Sequence, residues 1–179
     1  IHAKDTLDFQ FEGYVDVVKV KLPYVLEPNA SIKLKIPFKV YLPYTFSRLG
    51  HVNNTYQITQ WYPKPAVYDN EGWHPMPYLD EGEFYSEFGS FDVSITLPSQ
   101  YKLAATGVLQ SPLEKKFNDA HAADTGSMYA YSTSTKTVRF IQDNIHDFAW
   151  FADADYKIAH DSVTLETGKV VQVWYYFTE

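Results

Sequence analysis

Between Ile32 and Tyr41 the chain alternates with a period of two. Ile32, Leu34, Ile36, Phe38 and Val40 are apolar, and Lys33, Lys35 and Lys39 stand between them. On a pleated strand this pattern puts one set of side chains on a core and the lysines in water, with Pro37 moving the strand to a sheet edge or a bulge. Val15 to Leu22 alternates in the same way, with Lys19 and Lys21 outward, and Phe91 to Leu97 does so until Pro98. Thr137 to Ile141 and Lys169 to Phe177 predict two more strands, Tyr129 to Thr135 a weaker one, and Gln57 enters another. Turn-forming residues separate these runs at Glu27-Pro28-Asn29, Asn53-Asn54, Asp69-Asn70-Glu71-Gly72, Pro98-Ser99-Gln100 and Glu166-Thr167-Gly168. Helical signal is confined to Pro112 to Ala123, a short helix running from Leu113 and ended before Gly126. Many strands at short spacing without intervening helices predict an all-β fold, an antiparallel β-sandwich or saddle-shaped curved sheets, as a single domain over 1–179.

Two stretches break the alternation. From Gln57 to Asp69, Pro63 and Pro65 force an extended loop, and Gly72 to Gly89 is dense in aromatic and acidic residues. Ordered loops of this length carry function more often than the elements they join. Aromatic residues make up 17% of the 179 positions, with 15 Tyr, 12 Phe and 4 Trp, enough to favour strands and to leave rings for an interface. The formal net charge of -7, with no local lysine or arginine run, argues against nucleic acid as a partner. Cysteine is absent, which excludes disulfides, thiolate catalysis and cysteine-ligated zinc within the chain. No apolar run approaches the roughly 20 residues of a membrane-spanning helix. The chain opens at Ile1 without an initiator methionine or signal peptide and stops at Glu179 directly after a strand-like run, so it reads as a piece of a longer protein.

The catalytic motifs that would identify an enzyme are not in the sequence. None of His2, His51, His74, His121, His146 and His160 is followed by Glu, and no two are four apart, so there is no His-Glu-x-x-His. Neither Gly-x-Ser-x-Gly nor Gly-x-Gly-x-x-Gly occurs. The acids Asp80, Glu81, Glu83 and Glu87 suit a solvated or helix-capping role; a glycosidase pair or a calcium site are the alternatives. Trp61, Tyr62, Tyr68, Trp73 and Tyr78 either fill a core or offer ring faces to sugars or to another domain.

A resemblance rests on several motifs in order. Ser47-Arg48-Leu49-Gly50 after Phe46, Thr59-Gln60-Trp61-Tyr62-Pro63 continuing to Asp69, Gly72-Trp73-His74 and Gly82 to Gly89 form the first group. Phe91-Asp92-Val93, Ala105-Thr106-Gly107 and His146 to Asp153 follow. Together, from about Val15 onward, they resemble the M1 family of zinc metallopeptidases of bacterial type; Leu109 to Lys136 reads as a variable loop. The resemblance implies an amino-terminal β domain, saddle-shaped, packed beside a thermolysin-like catalytic domain that would follow residue 179. That second domain would hold zinc through His-Glu-x-x-His and a downstream Glu, and would carry a Gly-x-Met-Glu-Asn strand. Neither motif is present here, so the resemblance assigns this chain no catalytic or metal-binding residue and no cofactor of its own.

In the family a loop beginning Thr-Gln reaches the substrate's amino group, followed two residues later by Glu or Gln. Thr59-Gln60 matches the first part, and the later position falls on Tyr62, which supplies a hydroxyl and a ring but no carboxylate. Gln57, one strand step away, is the third candidate. The expected partners are therefore a peptide substrate, contacted by Gln60, Tyr62 and Gln57, and the protein's own catalytic domain. A periplasmic or cell-surface location is implied by resemblance alone. The reading from a different class is a free-standing β-sandwich that binds carbohydrate or protein through its aromatic loops.

Overall fold

The computed structural model describes residues 6–44, 47–79, 81, 84–123 and 133–178. Strands β1 (Phe9–Phe11) and β2 (Val18–Val20) form one antiparallel hairpin, β3 (Leu49–Val52) and β4 (Thr55–Ile58) a second, and β5 (Val67–Asp69) and β6 (Gly72–His74) a third. There follow β7 (Gly89–Pro98), β8 (Lys102–Ala105), β9 (Val108–Leu109), the helix α1 (Pro112–Ala122), β10 (Thr135–Ile145), β11 (Trp150–Asp153), β12 (Lys157–Thr164) and β13 (Val170–Phe177). Every ladder between these strands is antiparallel and among the described residues no sheet closes into a barrel, so the fold is all-β.

Contacts divide the chain into two units, each discontinuous in sequence. One comprises Ile1–Lys39 and Tyr62–Glu87, the other Val40–Trp61 and Phe88–Glu179. The first holds the hairpins β1–β2 and β5–β6. In it Glu12 N–H donates to the Val17 carbonyl across a turn where Gly13 takes φ +71°, and Tyr78 N–H donates to Asp16 Oδ2 at 2.5 Å. Val67 is 2% exposed, yet Phe9, Phe11, Val15, Val25, Tyr68 and Trp73 are each more than half exposed. A β-hairpin buries little on one face by itself, so these apolar side chains stay in water.

The second unit carries the core. Its sheets run β3-β4-β11-β8 and β7-β10-β9, and β12 pairs with β13 along their whole length. Alternation works as expected in the long strands: Ile95 and Leu97 of β7 and Val138 and Phe140 of β10 are buried, while their neighbours face water. Phe148 lies at the centre with no exposed surface, its ring against Phe91 and Phe140. The helix covers this unit through Phe117 and Ala120.

The predicted strand over Ile32 to Tyr41 does not form. Residues 31–43 belong to no ladder; Ile36 is 50% and Phe38 49% exposed, and only Tyr44 makes an isolated bridge, to His51. A strand exists only where a neighbour takes up its backbone groups, and the period of two selects side-chain faces without supplying that neighbour. The run from Val15 to Leu22 shrinks to β2 because the bond from Glu12 N–H to the Val17 carbonyl closes a turn first. Of the weaker candidate strand, residues 129–132 lie outside the described residues. All five turn assignments coincide with chain reversals, as in the bond from Tyr101 N–H to the Pro98 carbonyl or from Gly168 N–H to the Leu165 carbonyl.

Candidate functional site

The segment leading to Gln60 starts in the hairpin β3–β4. Asn53 closes its turn at φ +51°, a conformation asparagine tolerates better than most residues. Register then fixes two faces. Tyr56 and Ile58 share one with Ala152 and Leu103, and Ile58, Ala152 and Leu103 are buried there. Thr55 and Gln57 share the other with Phe151, Asp153 and Lys102. Gln57 is half-buried and stands opposite Gly50 on β3, where no side chain competes with it for space.

Beyond β4 the alternation ends at two anchors. Thr59 donates its backbone N–H, at 3.2 Å, and its hydroxyl, at 2.5 Å, to the Arg48 carbonyl. Trp61 donates its indole N–H to the Phe148 carbonyl at 3.0 Å, beside the most deeply buried ring of the unit. Between them Gln60 takes φ +51°. A non-glycine residue in the left-handed region costs about 1–3 kcal/mol and persists only where its surroundings over-determine it. The two anchors do so here, and they hold a half-buried amide, able to donate and accept, at a defined place on the chain.

Tyr62 belongs to the other unit and is half-buried there. The Lys64 ammonium lies 5.4 Å from the Tyr62 ring centre and 3.5 Å from that of Phe84, so a cation between two rings orients this stretch. Of the three residues singled out from the sequence, Gln57 and Gln60 thus share the second unit and Tyr62 stands in the first.

The rings of the aromatic stretch divide. Tyr68 and Trp73 face each other across β5–β6 at 4.9 Å, 65% and 67% exposed, so they fill no core. On the opposite face His74 Nε2 meets Asp69 Oδ1 at 2.8 Å, and Tyr85 packs edge-on against His74. His74 and the Glu71 N–H together hold the Asp69 carboxyl below the usual range. Glu81 and Glu87 are exposed, while Asp80 and Glu83 lie outside the described residues.

Asp153 ends the His146 to Asp153 motif, to which sequence alone attached no site role. Its carboxylate is buried at the end of β11, accepting the Thr55 hydroxyl at Oδ2 and the Asp155 N–H at Oδ1, 2.6 Å. Burial and, behind it, Tyr56 and Asp153 push the Tyr101 phenol up, and burial with Asp153 does the same to Tyr156. Asn53, Asn54, Thr55, Asp153, Asp155 and Lys157 help to line an open cleft of about 390 Å³. An aspartate that ends a strand carries no period of its own, so nothing in the pattern marked it. Among the described residues no three His, Asp or Glu side chains converge on a metal position, and no helix is long and apolar enough to cross a membrane.

Gln57 and Gln60 thus offer amide donors and acceptors on one unit, and Tyr68 and Trp73 offer ring faces on the other. No family model, curated protein or solved structure matches this chain.

Proposed function

We propose that this chain is the non-catalytic amino-terminal domain of an M1-type zinc aminopeptidase, forming one wall of its peptide cleft. The observation that carries the reading is Gln60, held at φ +51° between the Thr59 and Trp61 anchors within the Thr59-Gln60 motif. Strain kept at one polar residue by two flanking bonds is what a positioning group requires. Gln60 would hydrogen-bond the amino-terminal end of the peptide, with Gln57 of the same unit as a further contact. The uncovered apolar residues of the first unit support packing against a catalytic domain. Zinc, held by that domain, would polarise the scissile carbonyl; the residues here bind and orient.

The test has two parts. The isolated chain should hydrolyse no amino-acid anilide even with added zinc, and turnover would put the active site in the wrong domain. In the full enzyme Gln60→Ala should raise KM for short peptides about tenfold, the size of one hydrogen bond, with kcat nearly unchanged. Unaltered kinetics would remove its role.

One observation favours a second reading, a free-standing β domain that binds carbohydrate: the exposed, facing rings of Tyr68 and Trp73. That reading expects saturable glycan binding by the chain alone, abolished in Trp73→Ala.

A further inference from the structure

A cleft of about 240 Å³ opens between the last turn of α1 and the hairpin β12–β13, lined by Asp119, Ala122, Ala123, His160 and Trp174. Three sources of negative potential meet in it. The first is the Asp119 carboxylate, about half exposed, whose cation partner, Lys115, lies one turn back along the helix and approaches no closer than 3.3 Å. The second is the carbonyl end of α1, where the helix dipole is negative and where Ala123 N–H takes up the Asp119 and His121 carbonyls. The third is the half-buried Trp174 indole, whose π face attracts cations.

The indole is held in place. His160, its register partner on β12, stacks on it at 4.1 Å with the planes 22° apart, and His160 Nε2 meets Gln172 Oε1 at 2.7 Å. Among the described residues that line the cleft there is no lysine or arginine, so the wall favours a cation over an anion. A hard divalent ion would need six or more oxygens, and a single carboxylate falls well short. A flat delocalised cation fits both parts of the wall, because it can pair with a carboxylate through its N–H fork and stack on an indole.

We propose that this cleft binds a guanidinium group, that of an arginine side chain presented by a peptide or small molecule. The inference is independent of the aminopeptidase reading, since it uses none of Gln57, Gln60 or Tyr62. The whole chain is titrated with Nα-acetylarginine amide while the indole N–H resonance of Trp174, assigned through Trp174→Phe, is followed by NMR. A saturable shift is expected, with affinity reduced at least tenfold in Asp119→Asn, an exposed position where the fold is undisturbed. The uncharged isostere Nα-acetylcitrulline amide should leave the resonance in place. Guanidinium chloride as a further arm separates recognition of the bare cation, if it shifts the resonance equally, from recognition of the whole side chain, if it does not. An equal shift with the citrulline compound, unchanged affinity in Asp119→Asn, or no saturable shift would each overturn the assignment.

Discussion

Glu114 and Lys136 form an ion pair with both side chains completely out of water, each carboxylate oxygen 2.8 Å from Nζ. The ammonium also sits 4.4 Å from the centre of the Phe117 ring, one turn along α1. This contact ties the helix to β10, and its charges cannot be separated cheaply. Taking either partner away strands the other in a low-dielectric interior. Lys136→Met should therefore cost about 3–5 kcal/mol of stability in urea unfolding, while Glu114→Leu combined with Lys136→Met should recover most of the loss. Single variants within about 0.5 kcal/mol of the wild type would mean that the pair does not bear on folding.

Alkaline stability should turn on Tyr176. Burial above all, and then the Glu114 charge, push its phenol well above the ordinary value of 10.0, and Asn118 Nδ2 donates to its oxygen at 3.1 Å. Below about pH 10 the phenol is neutral in both states. Above it the unfolded chain gives up the proton and the folded one keeps it, so stability falls as pH rises. Lys136 works in the opposite sense: burial holds it below the ordinary 10.5, and its contribution grows as pH rises to that value. Comparing wild type with Tyr176→Phe cancels the lysine. The variant should lose stability less steeply between pH 10 and 11, by up to about 1 kcal/mol per pH unit. Parallel pH profiles would contradict the raised phenol.

Gly107 permits the turn into β9. It takes φ +93°, and a Cβ there would stand 3.0 Å from both the Ile141 carbonyl oxygen and Gln142 Cβ. Gly107→Ala meets strain and backbone contact together, so a loss of about 2–3 kcal/mol in thermal or urea unfolding is expected. A loss below about 0.5 kcal/mol would show that the turn relaxes.

Gln60 offers a separation of stability from function. Gln60→Gly relieves the left-handed backbone at the expense of unfolded-chain entropy, for a net gain of about 1 kcal/mol. The chain should become more stable, and if it serves the aminopeptidase proposed above, loss of the amide should weaken that enzyme's binding of short peptides. A variant that lost stability would show that the Gln60 side chain, rather than the Thr59 and Trp61 anchors, holds the loop.

Trp61→Phe tests those anchors. It keeps the ring and deletes the donor, leaving the Phe148 carbonyl without the indole N–H bonded to it at 3.0 Å. Unfolding should become easier by about 1–3 kcal/mol, and on the proposed function KM for short peptides should rise along with that of Gln60→Ala. An unchanged unfolding midpoint would mean that water replaces the bond.

The residues themselves determined the all-β class, the reversals and the strands β4, β7, β10 and β13 of the second unit, because those depend on local quantities. Alternation of Phe91 to Leu97 and of Thr137 to Ile141 marks a buried face wherever a sheet forms, and Asn53 or Gly168 turns the chain by its own conformational preference. What tertiary structure alone decided is which alternating run finds a neighbour and which polar groups go inside. Ile32 to Tyr41 has the clearest period of all and joins no ladder, since ladder hydrogen bonds come from another segment. Helix α1 reverses hydropathy outright: Leu113 is 54% exposed and Glu114 fully buried, because Lys136, 22 residues on, waits inside to neutralise it. Resemblance singles out Gln60, but its left-handed backbone has no local signal: the carbonyls of Arg48 and Phe148, outside any short window, accept the bonds that fix the chain on either side of it. Pairing energies between distant residues are absent from any local window, and they placed both the buried charge and the candidate site.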